Sequence, residues 1–169
     1  MARPVSRSHK IPLNAHLARF IDTLGFMWEG YGFPRGMGRI FGLLLVSTRP
    51  LSAEEISDSL RISRSGVSTD TRGLLSIGVI ERIRVPGDRT GYYAFSAQAW
   101  ERAAAMRGQE ARRYRDLATQ TMRGLPAGHP GRKRLDEFRE WAEVFTAAVD
   151  WMIAEWTARR RGRARGSLP

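Results

Sequence analysis

The chain has 169 residues, 42% of them apolar, with 28 Lys and Arg against 17 Asp and Glu, a formal net charge of +11 and no cysteine. That length accommodates one domain, or one domain with a dimerisation extension. The composition excludes disulfides, thiolate metal sites and cysteine nucleophiles, and it fits a reducing cytoplasm.

The charge is uneven. Arg3, Arg7 and Lys10 put three positive charges in the first ten residues, and Arg159, Arg160, Arg161, Arg163 and Arg165 put five in the last eleven. Only three net charges remain for the 148 residues between, and the stretch from 52 to 95 is close to balanced. Much of the sequence-independent attraction to nucleic acid is therefore expected at the two ends, a flexible basic arm over 1–13 and a basic disordered tail over 159–169. The alternative for the tail is simple solubilisation. The longest apolar run, Ile40 to Val46, is too short to span a bilayer. The basic N-terminus is followed by no apolar stretch, so no secretory signal is expected and the cytoplasm is the expected location.

The first predicted helix covers 14–31, with Asn14 as its cap and a stripe of Leu17, Ile21, Leu24, Trp28 and Tyr31 at 4-3-4-3 spacing. Pro34 starts a second helix reaching about Ser47, apolar nearly all round and so expected to be buried. Gly36, Gly38 and Gly42 lie inside this helical pattern, where they allow close helix contacts and make a poor phosphate loop.

The stretch from 52 to 95 is the most informative. Ser52 and Glu55 form an S-x-x-E capping box, and Leu51 with Ile56 has the spacing of a hydrophobic staple. That helix runs to Leu60. A new start follows at once: Ser63 is a second N-cap, and Ile62 with Val67 repeats the staple. Only three or four residues of turn separate the two helices, the length of a helix-turn-helix connection. In the second helix, about 64–77, Val67, Thr71, Leu74 and Leu75 should face the core, while Ser65, Ser68, Thr69, Arg72 and Ser76 face outward. Short hydrogen-bonding side chains suit a helix pressed into a groove ~12 Å wide. Arg64, at the helix start, is placed to hold a phosphate. The bland alternative is a solvated, serine-rich surface. Gly78 stops the helix. Val79 to Val85 and Tyr92 to Phe95 then read as a hairpin around the turn-rich Pro86–Gly91 segment. As a wing, this loop would carry Arg89 and Thr90, fed by Arg84, and lay a guanidinium into an adjacent minor groove. Asp88 would repel phosphate; it is expected to pair with an arginine and shape the loop. An ordinary surface hairpin is the alternative.

A long helix from Ala97 to about Arg123 follows, broken by Gly124–Gly131. The last helix, about 132–160, carries Leu135, Phe138, Ala142, Phe145, Val149, Met152 and Trp156 at 3-4-3-4-3-4 spacing. Such a seam needs a partner, either a second copy in an intertwined dimer or the preceding helices in an intramolecular bundle.

Together these elements give a mainly α fold with a small β-hairpin wing: a winged helix-turn-helix domain with its N-terminal dimer helix at 14–96, and a helical dimerisation region at 97–158. The order of Gly32-Phe33-Pro34-Arg35-Gly36-Met37-Gly38-Arg39-Ile40, Gly42 to Leu45, Val67-Ser68, Val85-Pro86-Gly87-Asp88-Arg89 and Gly91-Tyr92-Tyr93 resembles the MarR superfamily of bacterial regulators, and more closely its GbsR-like branch. The resemblance covers roughly 14–100. It implies a homodimer on a palindromic double-stranded DNA operator, often with a small-molecule effector, choline-like by analogy. The basic tail departs from the family pattern.

Phe26, Trp28 and Tyr31, with Trp141 and Trp151, are candidates for an effector cavity, or else core. The three histidines are scattered, with no HExxH, and no G-x-S-x-G elbow or acid/base pair is present, so no enzyme, cofactor or metal site is expected. The expected function is a homodimeric DNA-binding transcriptional repressor released by a small-molecule effector. The competing reading is a winged-helix module that binds protein and not specific DNA.

Overall fold

The computed structural model describes residues 11–166. The basic arm expected at the N-terminus therefore falls mostly outside the described residues, as do the last three residues of the tail. Six helices and three short strands follow in the order α1 (Ala15–Gly30), α2 (Arg35–Val46), β1 (Leu51–Ser52), α3 (Ala53–Leu60), α4 (Arg64–Ile77), β2 (Ile80–Arg84), β3 (Gly91–Phe95), α5 (Ala99–Gly124) and α6 (Arg132–Gly166). Contacts divide the chain into two compact units, one up to Ala99 and one from Trp100.

In the first unit, Asn14 caps α1 by accepting from the Leu17 backbone N–H. Helices α1 and α2 pack through glycine. A Cβ on Gly38 would press against the backbone of Leu24 and Gly25, and one on Gly42 against Ile21. This close approach buries Ile21, Ile40, Leu43 and Leu44, which join Leu51, Ile56, Val67, Leu74 and Ile80 in one core. The capping box of α3 is complete: Ser52 Oγ accepts from Glu55 N at 3.1 Å, and Glu55 Oε2 accepts from Ser52 N at 2.8 Å. Helix α3 ends at Arg61, whose φ of 53° lies in the left-handed region, and three residues later α4 begins under the Ser63 cap. Gly78, with φ of 78°, closes α4 at the C-cap, where only glycine turns this way without strain.

The strands form an antiparallel sheet in the order β1-β3-β2, with Leu51 opposite Tyr93 and Arg82 opposite Tyr93 on its other side. Strand β1 was not expected. It is two residues long, too short for any alternation, and only its pairing with β3 makes it a strand.

In the second unit α5 and α6 run antiparallel. Val149 lies against Gly108, Arg112 pairs with Asp150 at 2.9 Å, and Arg160 pairs with Glu101 at 2.7 Å. The Arg132 guanidinium donates to the carbonyls of Met122 and Leu125, tying the connecting loop. Part of the expected seam is thus satisfied within the chain: Ala142 and Val149 are buried, as are Ala111 and Ala118 of α5. The rest is not. Phe138, Phe145 and Met152 remain exposed, together with Trp141, Val144 and Trp151.

The tail expected to be disordered from 159 is corrected by the structure, since α6 continues to Gly166. Arginine is a good helix former. Arg159 pairs with Glu155 one turn back at 2.7 Å, and Arg160 is anchored on Glu101, so the charge run extends an established helix.

Candidate nucleic-acid interface

The α3–turn–α4 unit holds its second helix by its inner face. Val67, Thr71 and Leu74 are buried, and the Thr71 hydroxyl is spent on the Val67 carbonyl at 2.7 Å. One inward residue was not foreseen. Asp70 is only 9% exposed and faces the start of α2, where a Cβ on Gly36 would overlap its carboxylate. Burial pushes this carboxyl above the ordinary carboxylate range. An acidic residue carries no apolar signal, so periodicity reads it as outward.

The outer face carries the expected set. Ser65, Ser68, Thr69, Arg72 and Ser76 are all exposed. Ser65 Oγ lies 3.1 Å from the cap hydroxyl of Ser63, which fixes the first turn, and Ser76 donates to the Gly73 carbonyl. No large apolar side chain of α4 is among the exposed ones described. Arg64 is differently engaged from expectation: it donates to Glu54 Oε1 at 2.7 Å across the turn, ten residues away in sequence. Both partners are well exposed, at 76% and 49% of their side chains. An ion pair of this kind contributes about 0–1 kcal/mol, so exchange of Glu54 for a phosphate costs little.

The hairpin of β2 and β3 presents Arg84, Arg89 and Thr90, all exposed. Asp88 shapes the loop, but through partners other than the arginine expected. Its Oδ1 accepts from the Thr90 backbone N–H and its Oδ2 from the Tyr92 hydroxyl, each at 2.7 Å. These bonds hold the Asp88 carboxyl below its ordinary range and push the Tyr92 hydroxyl up. Local donors reach the aspartate two and four residues away, whereas an arginine on the strands would have to fold back. Gly87, with φ of 81°, makes the turn. Arg82, absent from the expected set, lies with its guanidinium over Gly91 at the base of the loop; the missing Cβ there is the signal that spacing alone does not supply.

The three aromatic residues expected around an effector have different surroundings. Trp28 packs on Phe33 and Phe41, at centroid distances of 5.5 and 5.1 Å. Phe26 is exposed beneath the Arg35 guanidinium, 3.7 Å from the ring centroid, and Tyr31 is exposed. Trp28 is half-buried by this ring packing, while Phe26 on α1 and Tyr31 at its C-cap remain exposed. Trp141 and Trp151 are exposed on α6. Among the described residues there is no group of His, Asp and Glu that could hold a metal, and no helix is long and apolar enough to cross a membrane.

No protein-family model matches the chain. The HTH-type transcriptional regulator MmpR5 of Mycobacterium tuberculosis (strain ATCC 25618 / H37Rv) is 33% identical over 150 residues, covering 85% of this chain and 88% of that protein. A putative HTH-type transcriptional regulator, YvaV of Bacillus subtilis (strain 168), is 24% identical over 74 residues, 44% of this chain and 42% of that protein. A crystal structure described as a transcriptional regulator superposes with a TM-score of 0.74 at 30% identity, covering 85% of this chain and 99% of that one. The chain therefore belongs to the HTH-type transcriptional regulators, with the winged-helix architecture of the MarR-like kind.

Proposed function

We propose that the chain acts as a homodimeric DNA-binding repressor of the GbsR-like branch, working in the cytoplasm on a palindromic operator and released by a small-molecule effector. The observation that carries the reading is the outward face of α4: Ser65, Ser68, Thr69 and Arg72, exposed, polar and hydrogen-bonding, with no large apolar group among them. In this reading that face enters the major groove, where Arg72 reads base edges. Arg64 exchanges Glu54 for a phosphate. Arg89 enters the minor groove, with Thr90 and Arg84 beside it. A module that binds protein would display apolar side chains where this helix displays serines.

The second copy is supported by the unpartnered apolar side chains of α6. Trp141 stacks on Phe145 at 5.4 Å and on Phe138 at 6.2 Å, and the three remain exposed. Monomers rarely leave such an aromatic row in water, and a helix-turn-helix reads two half-sites through two-fold symmetry. An effector that binds better to a dimer with misplaced α4 helices would release DNA by shifting the population.

The test is titration against DNA from upstream of its own gene, with competitor DNA present. Arg72→Ala weakens specific binding by about 1–3 kcal/mol, while Arg89→Ala also lowers the salt slope by about one. Unchanged operator affinity in both variants contradicts the groove assignment.

A further inference from the structure

The α5–α6 unit contains an apolar cavity of about 520 Å³, lined by Trp100, Ala103, Ala104, Met152, Ile153 and Trp156, with Glu101 in its wall. That volume is typical of small-molecule sites, as is an apolar lining with few polar groups. Two polar atoms of this wall, Glu101 Oε2 and Trp156 Nε1, are out of contact with solvent and have no hydrogen-bond partner. Buried groups left unpaired are unusual in folded proteins and call for an explanation.

The surrounding chemistry narrows what could pair with them. Arg160 already donates to the other Glu101 oxygen at 2.7 Å, so the carboxylate has its counter-charge and does not need a cationic ligand. Burial alone would raise the Glu101 carboxyl; its own backbone N–H, Arg160 and the neighbouring indole of Trp156 outweigh this and hold it below the ordinary range. The apolar wall thus carries one acceptor, Glu101 Oε2, and one donor, Trp156 Nε1. A ligand carboxylate would be repelled by Glu101. A plain hydrocarbon would leave both atoms unpaired. A hydroxyl can accept from Trp156 Nε1–H and give its own hydrogen to Glu101 Oε2, and a carboxamide can do the same with its oxygen as acceptor and its N–H as donor.

We propose that this cavity is the effector site, and that it takes a neutral apolar molecule carrying one hydroxyl or carboxamide group. The inference rests on the regulator reading for what occupancy does, not for binding itself. It also moves the effector away from Phe26, Trp28 and Tyr31 to the facing ends of α5 and α6.

The test is calorimetric titration of the full chain with 1-naphthol, without DNA. Saturable binding with one site per chain is expected. 1-Methoxynaphthalene, which accepts but cannot donate, should bind about fivefold more weakly. Ala104→Phe fills the cavity and should weaken 1-naphthol at least about tenfold. Trp156→Phe keeps a ring but removes the donor, and should weaken it about fivefold, with circular dichroism confirming that both variants keep their helices. Absence of saturable binding overturns the proposal. Binding that survives Ala104→Phe places the ligand elsewhere and overturns it as well. So does loss of dimerisation in Ala104→Phe with no 1-naphthol binding to the parent chain, which assigns the cavity to a second copy. Because DNA is absent, failure here leaves groove recognition standing, and failure of Arg72→Ala to alter operator binding leaves the cavity standing.

Discussion

Helix α4 carries a buried carboxyl, Asp70, turned towards the first turn of α2. It makes no ion pair among the described residues. The positive end of α2 helps it by about 0.3–1 kcal/mol at most, less than the cost of burying a charge without a counter-ion. Its pKa is raised, so the associated stability is fully present below the unfolded carboxylate pKa and is lost as pH rises through the folded value. Asp70→Asn is therefore expected to raise the melting temperature at neutral pH by about 2–4 °C. The gain should shrink towards zero near ~pH 4. A melting temperature that falls at neutral pH contradicts this account. Residues of this kind were the least legible in the sequence. Asp70 faces inward against its chemistry, and Arg64 finds Glu54 ten residues away, a pairing that depends on the angle between two helices. Ser65, Ser68, Thr69 and Arg72 were legible because their orientation follows from helical period alone.

Elements were legible where their ends carry local chemistry. The Ser52–Glu55 box, the Ser63 cap and Gly78 delimit α3 and α4 by bonds spanning three or four residues, which sequence order guarantees. Strand β1 and the continuation of α6 through its arginines were not legible, because each depends on a partner distant in sequence: β3 for the first, Glu101 for part of the second. The α3 box makes its own prediction. Burial would raise the Glu55 carboxyl, but the Arg49 guanidinium at 2.6 Å and the Ser52 backbone N–H outweigh it and hold the pKa low. With the folded pKa depressed, the stabilisation is present above the unfolded carboxylate pKa and is lost as pH falls through the folded value. Glu55→Gln should cost about 1 kcal/mol at neutral pH in chemical denaturation, and the difference should close in acid. The opposite pH trends of Asp70→Asn and Glu55→Gln separate the two groups within one small domain. Parallel trends would show that one of the assignments is wrong.

At the scale of the whole molecule, the two ends of the recognition problem are divided. In the proposed reading the domain up to Ala99 supplies the DNA-reading surface, within the charge-balanced stretch 52–95, and the helical pair from Trp100 exposes an aromatic row suited to a second copy. Trp141→Glu places a charge in that row and should convert the dimer to a monomer in light scattering at micromolar concentration, with α-helical content kept. A parent chain that is already monomeric contradicts the dimer. The heptad spacing made this surface legible in outline. It could not say which of its residues are consumed within the chain, because Ala142 and Val149 share the period with Phe138 and Phe145 and differ only in facing α5. The central claim, that α4 is one half of a two-fold reading head, is tested most directly by hydroxyl-radical footprinting of the protein on DNA from upstream of its own gene. The account predicts two protected patches related by dyad symmetry and centred about one helical turn, or a whole multiple of it, apart. Both should be lost in Arg72→Ala. A single patch, or protection without symmetry that competitor DNA removes, would contradict it.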